Sequence, residues 1–403
     1  MVSVGIDVSK GKSTVCAMKH DGKIVLKSTD FEHTKSDLAK LTEKIRAFND
    51  DVKIIMEVTG GFHMPILNYL TNEGFWVTVV NALLMKKQSV EGLHDSKTDK
   101  LDAKRIANYG IEKWYKLKQY VPESEIFAEI RFYSRQYDQA TEISTKLKCQ
   151  LDKLIDGAMP GINKMMKDDK MYSFIERYVH FERITALGKE AFIHDYCEWA
   201  KEKGYRGNER KSLQIWETVQ NSIPYMPNND TVASAACGKI ILLREAEKSR
   251  DTIIAKIIEL TRPMPEFAIL TAMKGIGDVL AARLISEIGD IKRFEKRGSL
   301  ISYAGIDVPD NQSGQYRAKS GKISKRGNKR LRRVGYEIMQ SIMRQKPTED
   351  NSVYQFILKK EREGKRKKAA KIAGFNKFLR IYFARAIESY RKLNEEAATE
   401  VTA

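Results

Sequence analysis

Two short segments, VSVGIDVSK at 2–10 and VKIIMEVTG at 52–60, each read as an apolar β-strand that ends in an acid. An apolar strand belongs inside a sheet, and a carboxylate placed there needs a positive partner. These acids are Asp7 and Glu57. A third segment, KTDKLDAKRIA at 97–107, sets Asp99 and Asp102 one turn apart at an expected helix start, so both face the same way. One such acid is commonly satisfied by a backbone turn. Four of them, in a chain of formal net charge +18, point to a divalent-metal site acting on nucleic acid.

The order of elements around these acids is regular. Residues 1–9, KSTVCAMK at 12–19 and GKIVLKST at 22–29 read as three strands, with a turn at Asp21–Gly22. Leu38, Leu41, Ile45 and Phe48 have helical spacing. A strand ending near Glu57, a helix at 63–73 and a strand FWVTVV at 75–80 follow. Three strands, helix, strand, helix, strand is the order of a ribonuclease-H-like (RuvC-like) α/β core. There the first and fourth strands are neighbours, which would bring Asp7 beside Glu57. The helix of Asp99 and Asp102 would pack across the open end.

At 403 residues the chain exceeds the size of a single core, and two or three domains are expected. The divisions are 1–122 for the α/β domain, 123–262 for a helical region and 263–403 for a mainly helical C-terminal domain. In the middle region Ile126, Ile130, Tyr133, Tyr137, Ala140, Ile143, Leu147, Leu151 and Leu154 form one long stripe. It reads as a coiled-coil or dimerisation stalk, or as a long helix packed on its own domain. No run approaches the ~20 apolar residues of a membrane span, and Asp7 and Lys10 interrupt any signal peptide. The scattered Cys16, Cys149, Cys197 and Cys237 show no zinc spacing and suit a reducing cytoplasm.

The C-terminal region begins with two apolar helices joined through Gly275 and Gly277, a helix-hairpin-helix pattern whose turn could meet a phosphate through its N–H groups. A plain helix turn would use glycine there too. Tyr316–Arg333 then carries Arg317, Lys319, Lys322, Lys325, Arg326, Lys329, Arg330, Arg332 and Arg333 without an intervening acid, which favours backbone phosphate contact. A second basic run at 359–371 reads equally well as a solvated helical face.

These segments also carry a family resemblance. GIDVSK at 5–10, MEVTG at 56–60, VVNALLMK at 79–86 and KTDKLDAKRIA resemble the DEDD domain of the IS110/IS1111 insertion-sequence recombinases. GIGDVLAARLISEIGDIKRF at 275–294, LISYAGIDVP at 300–309, QSG at 312–314 and ISKRGNKRLRR at 323–333 are similar to that family's C-terminal transposase domain. Ala82 departs from the usual proline after VN. The resemblance implies an RNA-guided DNA recombinase with Asp7, Glu57, Asp99 and Asp102 as ligands for Mg²⁺ (or Mn²⁺). It implies Ser313 as the nucleophile, although Ser299, Ser302, Ser320 and Ser324 lie nearby and a Ser-Gly pair is commonly just a turn. The implied partners are donor and target DNA, a structured bridge RNA, and further copies of the chain as a homodimer assembling into a homotetramer. The alternatives are a RuvC-like endonuclease using water and a non-catalytic nucleic-acid-binding scaffold.

Overall fold

The computed structural model describes residues 1–80, 98–308, 312–313, 316–317 and 321–402. They divide into two compact units, Met1–Pro122 and Glu123–Ala403, with residues 123–262 and 263–403 sharing the second.

The first unit is a five-stranded sheet of β1 (Val2–Val8), β2 (Lys12–Lys19), β3 (Ile24–Glu32), β4 (Val52–Glu57) and β5 (Val77–Val80), in the order β3-β2-β1-β4-β5. β1 runs antiparallel to β2 and parallel to β4, and β4 is parallel to β5. This is the ribonuclease-H-like arrangement. The period-2 alternation of β1 sorts its side chains between two layers. Val2, Val4, Ile6 and Val8 enter a core shared with α1 (Lys35–Arg46) and α2 (Met64–Asn72). Ser3, Gly5 and Asp7 face the other way, toward α3 (Asp99–Glu112).

Two glycines seat α3 on the sheet. A Cβ on Gly5 would fall 2.2 Å from the Ala107 nitrogen, and one on Gly110 would fall 2.1 Å from Ser3 Oγ. Gly5 thus meets the middle of α3 while Ser3 meets its last turn, so α3 runs antiparallel to β1. Its first turn therefore lies toward the Asp7 end. Both ends are pinned: Ser28 Oγ donates to the Lys100 carbonyl at 2.9 Å, and Lys53 Nζ donates to the Trp114 carbonyl at 2.9 Å.

The second unit is built on two long helices, α4 (Glu125–Ala158) and α10 (Asp230–Thr261). Between them lie α5 (Ile162–Met165), α6 (Asp168–Tyr178), α7 (Phe181–Leu187), α8 (Lys189–Glu202) and α9 (Glu209–Asn221). These short helices pack around Leu151 and Ile155 of α4 and Ile240 and Leu243 of α10. The opposite ends of the same two helices, Phe127 and Ile130 with Ile254 and Ile257, enter a second core. The long stripe of α4 is thus partnered within the chain by antiparallel α10. That second core also holds α11 (Pro265–Thr271), α12 (Asp278–Ile288), α13 (Arg297–Ala304), α14 (Lys329–Gln345), α15 (Ser352–Arg362) and α16 (Lys367–Thr402). No helix among the described residues is long and apolar enough to cross a membrane.

Candidate nucleic-acid-processing site

Parallel pairing of β1 with β4 sets Ile6 opposite Met56, so the next residues on the two strands are Asp7 and Glu57. Adjacent strands lie about 4.8 Å apart, which makes these acids immediate neighbours on the α3 side of the sheet. Both are half-buried. Asp99 and Asp102 occupy the first turn of α3, which Thr98 caps by accepting the Leu101 N–H at 3.4 Å. Acids are favoured there because the N-terminal end of a helix carries partial positive charge. Sheet register and helix direction thus bring all four acids to one end of the α3-facing layer. Asp102 accepts Arg105 Nη1 at 3.0 Å in this state. Among the described residues, no three such side chains are already drawn together as a metal cage.

The same row of the sheet continues past the four acids. Asp7 pairs with Thr14, and Thr14 pairs with Asp30. The Thr14 hydroxyl donates to Asp30 at 2.7 Å and holds the Asp30 carboxyl below its ordinary range, with Lys12 adding to the effect. Sequence reading missed this pair, because β3 alternates weakly and Asp30 stands in a polar stretch.

In the second unit the basic run is more structured than its composition implies. The Lys325 N–H bonds the Gly305 carbonyl and the Asn328 N–H bonds the Tyr303 carbonyl, while Ser324 Oγ donates to Asp307 at 2.5 Å. Lys322, Lys325, Arg326 and Lys329 are exposed at this surface. Arg330 Nε instead pairs with Asp138 on α4 at 2.7 Å, and Arg333 Nε with Glu337 at 3.2 Å. Arg332 Nη1 donates to the Ala304 and Gly327 carbonyls, both at 3.0 Å. Behind this segment Glu287 of α12 is 2% exposed and receives Arg135, Ser134 and Asn328. Burial alone would raise its carboxyl, but the hydrogen bond and charge of Arg135 outweigh this and hold it below the usual value.

Ser313 ends a short strand β6 (Gln312–Ser313) that pairs antiparallel with β7 (Tyr316–Arg317), Ser313 opposite Tyr316. Lys319 lies outside the described residues, as do Ser320 and Ala82. Gly275 joins α11 to α12 at φ +96°, and a Cβ there would stand 3.0 Å from the Ile342 backbone. Packing on α14 therefore accounts for that glycine. Gly277 is different: it caps α12 and has open space where a Cβ would stand.

Comparison with known proteins gives two matches along the chain, the first reaching beyond the α/β unit into α4. An IS110-type DEDD transposase model matches residues 4–160, and a model described as the transposase IS116/IS110/IS902 family matches residues 267–355. Together they take in more than half of the chain, in order. The chain belongs to this transposase family. It is 23% identical to an IS116 insertion-element protein of Streptomyces clavuligerus, covering 90% of this chain and 88% of the relative. It is 22% identical to a pilin gene-inverting protein of Moraxella bovis, covering 94% of each. Among solved structures, T. thermophilus RuvC in complex with a Holliday junction substrate overlays on 30% of this chain and 99% of its own, at 11% identity and a TM-score of 0.24. The ribonuclease-H-like assignment rests on strand order and register.

Proposed function

We propose that this transposase-family chain is an RNA-guided DNA recombinase of an insertion sequence, in which four carboxylates hold a divalent ion and Ser313 is the nucleophile. The register that makes Asp7 and Glu57 neighbours, at the end where the first turn of α3 lies, carries the first half of this reading. The donor set is all carboxylate oxygen, which fits Mg²⁺ or Mn²⁺ and not a thiol- or imidazole-seeking metal. When bound, such an ion supplies polarisation of the scissile phosphate and stabilises charge on its oxygens. Asp7 and Glu57 would hold it from the sheet and Asp99 and Asp102 from the helix, with Arg105 leaving Asp102 on loading.

Ser313 is proposed for the step that separates exchange from hydrolysis. Its Oγ forms a bond to phosphorus, its proton departs, and one bridging P–O bond breaks to release a protonated sugar hydroxyl. The ester count is unchanged, so the break can be resealed to a new partner. A relative named for gene inversion supports this choice, because inversion requires that cut ends be rejoined. The net charge of +18 favours polyanionic partners, taken to be donor and target DNA and a structured guide RNA whose pairing reads the target. Assembly as homodimers joining into a homotetramer completes the proposal.

The test is capture of a covalent protein–DNA adduct on supercoiled substrate in the presence of Mg²⁺ and the RNA. Wild type should give the adduct, while Asp7→Asn and Ser313→Ala should give neither adduct nor recombinants. Cutting that persists in Ser313→Ala without an adduct would assign the reaction to water, as in a RuvC-like nuclease. Nucleic-acid binding without cutting or adduct in wild type, with Asp7→Asn changing nothing beyond affinity, would leave a binding scaffold.

A further inference from the structure

The last two helices carry a basic surface that the proposed chemistry does not use. α15 and α16 meet at Gly364, whose φ of +84° makes the turn. Lys359 and Arg362 lie before it, and the exposed Lys365, Arg366, Lys367 and Lys368 after it. The first two sit at the C-terminal end of α15, where cations are favoured by the helix dipole. The other four do not. α16 has no acid in its first turn, and the Ala370 N–H bonds the Arg366 carbonyl, so its cap residue is an arginine with no side-chain acceptor. Four cations at the positive end of a 36-residue helix repel one another and the dipole. The nearby Glu363 is held by Lys360 Nζ at 2.6 Å. Core packing does not require these cations, because they face solvent while Ala370 is the buried residue.

Two further observations define the partner. Lys371 Nζ lies 5.6 Å from the centre of the Tyr336 ring, and Tyr336 sits one turn beyond Arg333 on α14. The elbow therefore adjoins the helix that opens with the first basic run. Single strands are gripped by stacking bases on exposed rings. Here the neighbouring rings are capped: Phe356 by Lys360 and Lys377, and Tyr336 by Lys371. That leaves backbone contact, which positions a duplex without reading its sequence.

We propose that the α15–α16 elbow is a docking surface for the phosphate backbone of duplex DNA, distinct from the carboxylate site and independent of the Ser313 chemistry. Polyanion binding relieves a repulsion that the free chain carries. The test uses the full-length chain with Lys365→Gln, Arg366→Gln, Lys367→Gln and Lys368→Gln combined, and fluorescence anisotropy on a random-sequence duplex across a salt series. The slope of log affinity against log salt should fall by about 3.6 units, at about 0.9 for each of the four phosphates that are no longer neutralised. The thermal midpoint without DNA should hold or rise. A charge-conserving variant, with Lys365→Arg, Lys367→Arg and Lys368→Arg, should keep the wild-type slope. An unchanged slope in the Gln variant, or a lowered midpoint, would overturn the proposal. So would loss of binding to a structured RNA with duplex DNA binding intact.

Discussion

Gly5 and Ala103 are in backbone contact: a Cβ on Gly5 would lie 2.3 Å from the Ala103 carbonyl oxygen. The distance between sheet and helix, and with it the placement of the acids on β1 and α3, is set by the absence of one methyl group.

Gly5→Ala should therefore push α3 away from β1. Overpacking of this kind costs about 1–3 kcal/mol, with Gly5 at the upper end because backbone atoms block the methyl on two sides. Gly110→Ala meets Ser3 Oγ and the Ile55 side chain first, and both can rotate, so it should cost less. Thermal unfolding gives the order. DNA cleavage should fall more than stability in Gly5→Ala; an unaltered cleavage rate would break the link between seating and catalysis.

Magnesium should stabilise the wild-type chain against heat and leave Asp7→Asn unmoved. A ligand at a hundred times its dissociation constant adds about 2.7 kcal/mol to the state that binds it. Differential scanning fluorimetry with and without chelator checks this, and equal shifts in both proteins would place the ion elsewhere.

Two buried glutamates should give opposite pH signatures. Glu287 is held below the ordinary range, so its stabilisation is present above about pH 4.3 and is lost as pH falls through the folded-state value. Glu287→Ala should cost about 1–3 kcal/mol at neutral pH, since it leaves Ser134, Asn328 and Arg135 without the buried carboxylate they donate to, and less in acid. Glu266 is raised by burial, against the hydroxyl of Tyr390 that donates to it at 3.0 Å. The wild type thus loses stability as pH rises from about 4.3 through the folded-state value. Glu266→Gln cannot ionise and should be the more stable protein at neutral pH. Urea midpoints from acid to neutral pH measure both.

Arg326→Gln should lower the salt slope of DNA binding by about 1 unit. Arg330→Gln should lower it less and reduce stability more, because Arg330 already pairs with Asp138 on α4. Equal slopes for the two variants would show that the Asp138 contact gives way when DNA binds.

The α/β half was the more legible part of the sequence. Strict alternation in VSVGIDV and an acid at the end of each apolar strand specify both register and facing. Gly5 carried a signal as well, since glycine inside a strand marks a close approach. The basic run was legible as charge but not as structure. Counting neighbours along the chain finds no acid near Arg330, yet Asp138 comes from a helix nearly two hundred positions away. Glu287 left no trace, because one acid in an amphipathic helix looks solvated until its neighbours are known. The stripe of α4 showed a long helix but could not show that α10 of the same chain covers it.

α4 and α10 each enter two separate hydrophobic centres. A helix of 34 residues is about 50 Å long and stiff along its axis. Arg135 and Asp138, which pair with Glu287 and Arg330, therefore stand on the same unbroken helix as Leu151 and Ile155 of the other core. A single element thus fixes the spacing between the small-helix core and the start of α14, where Arg330 is held.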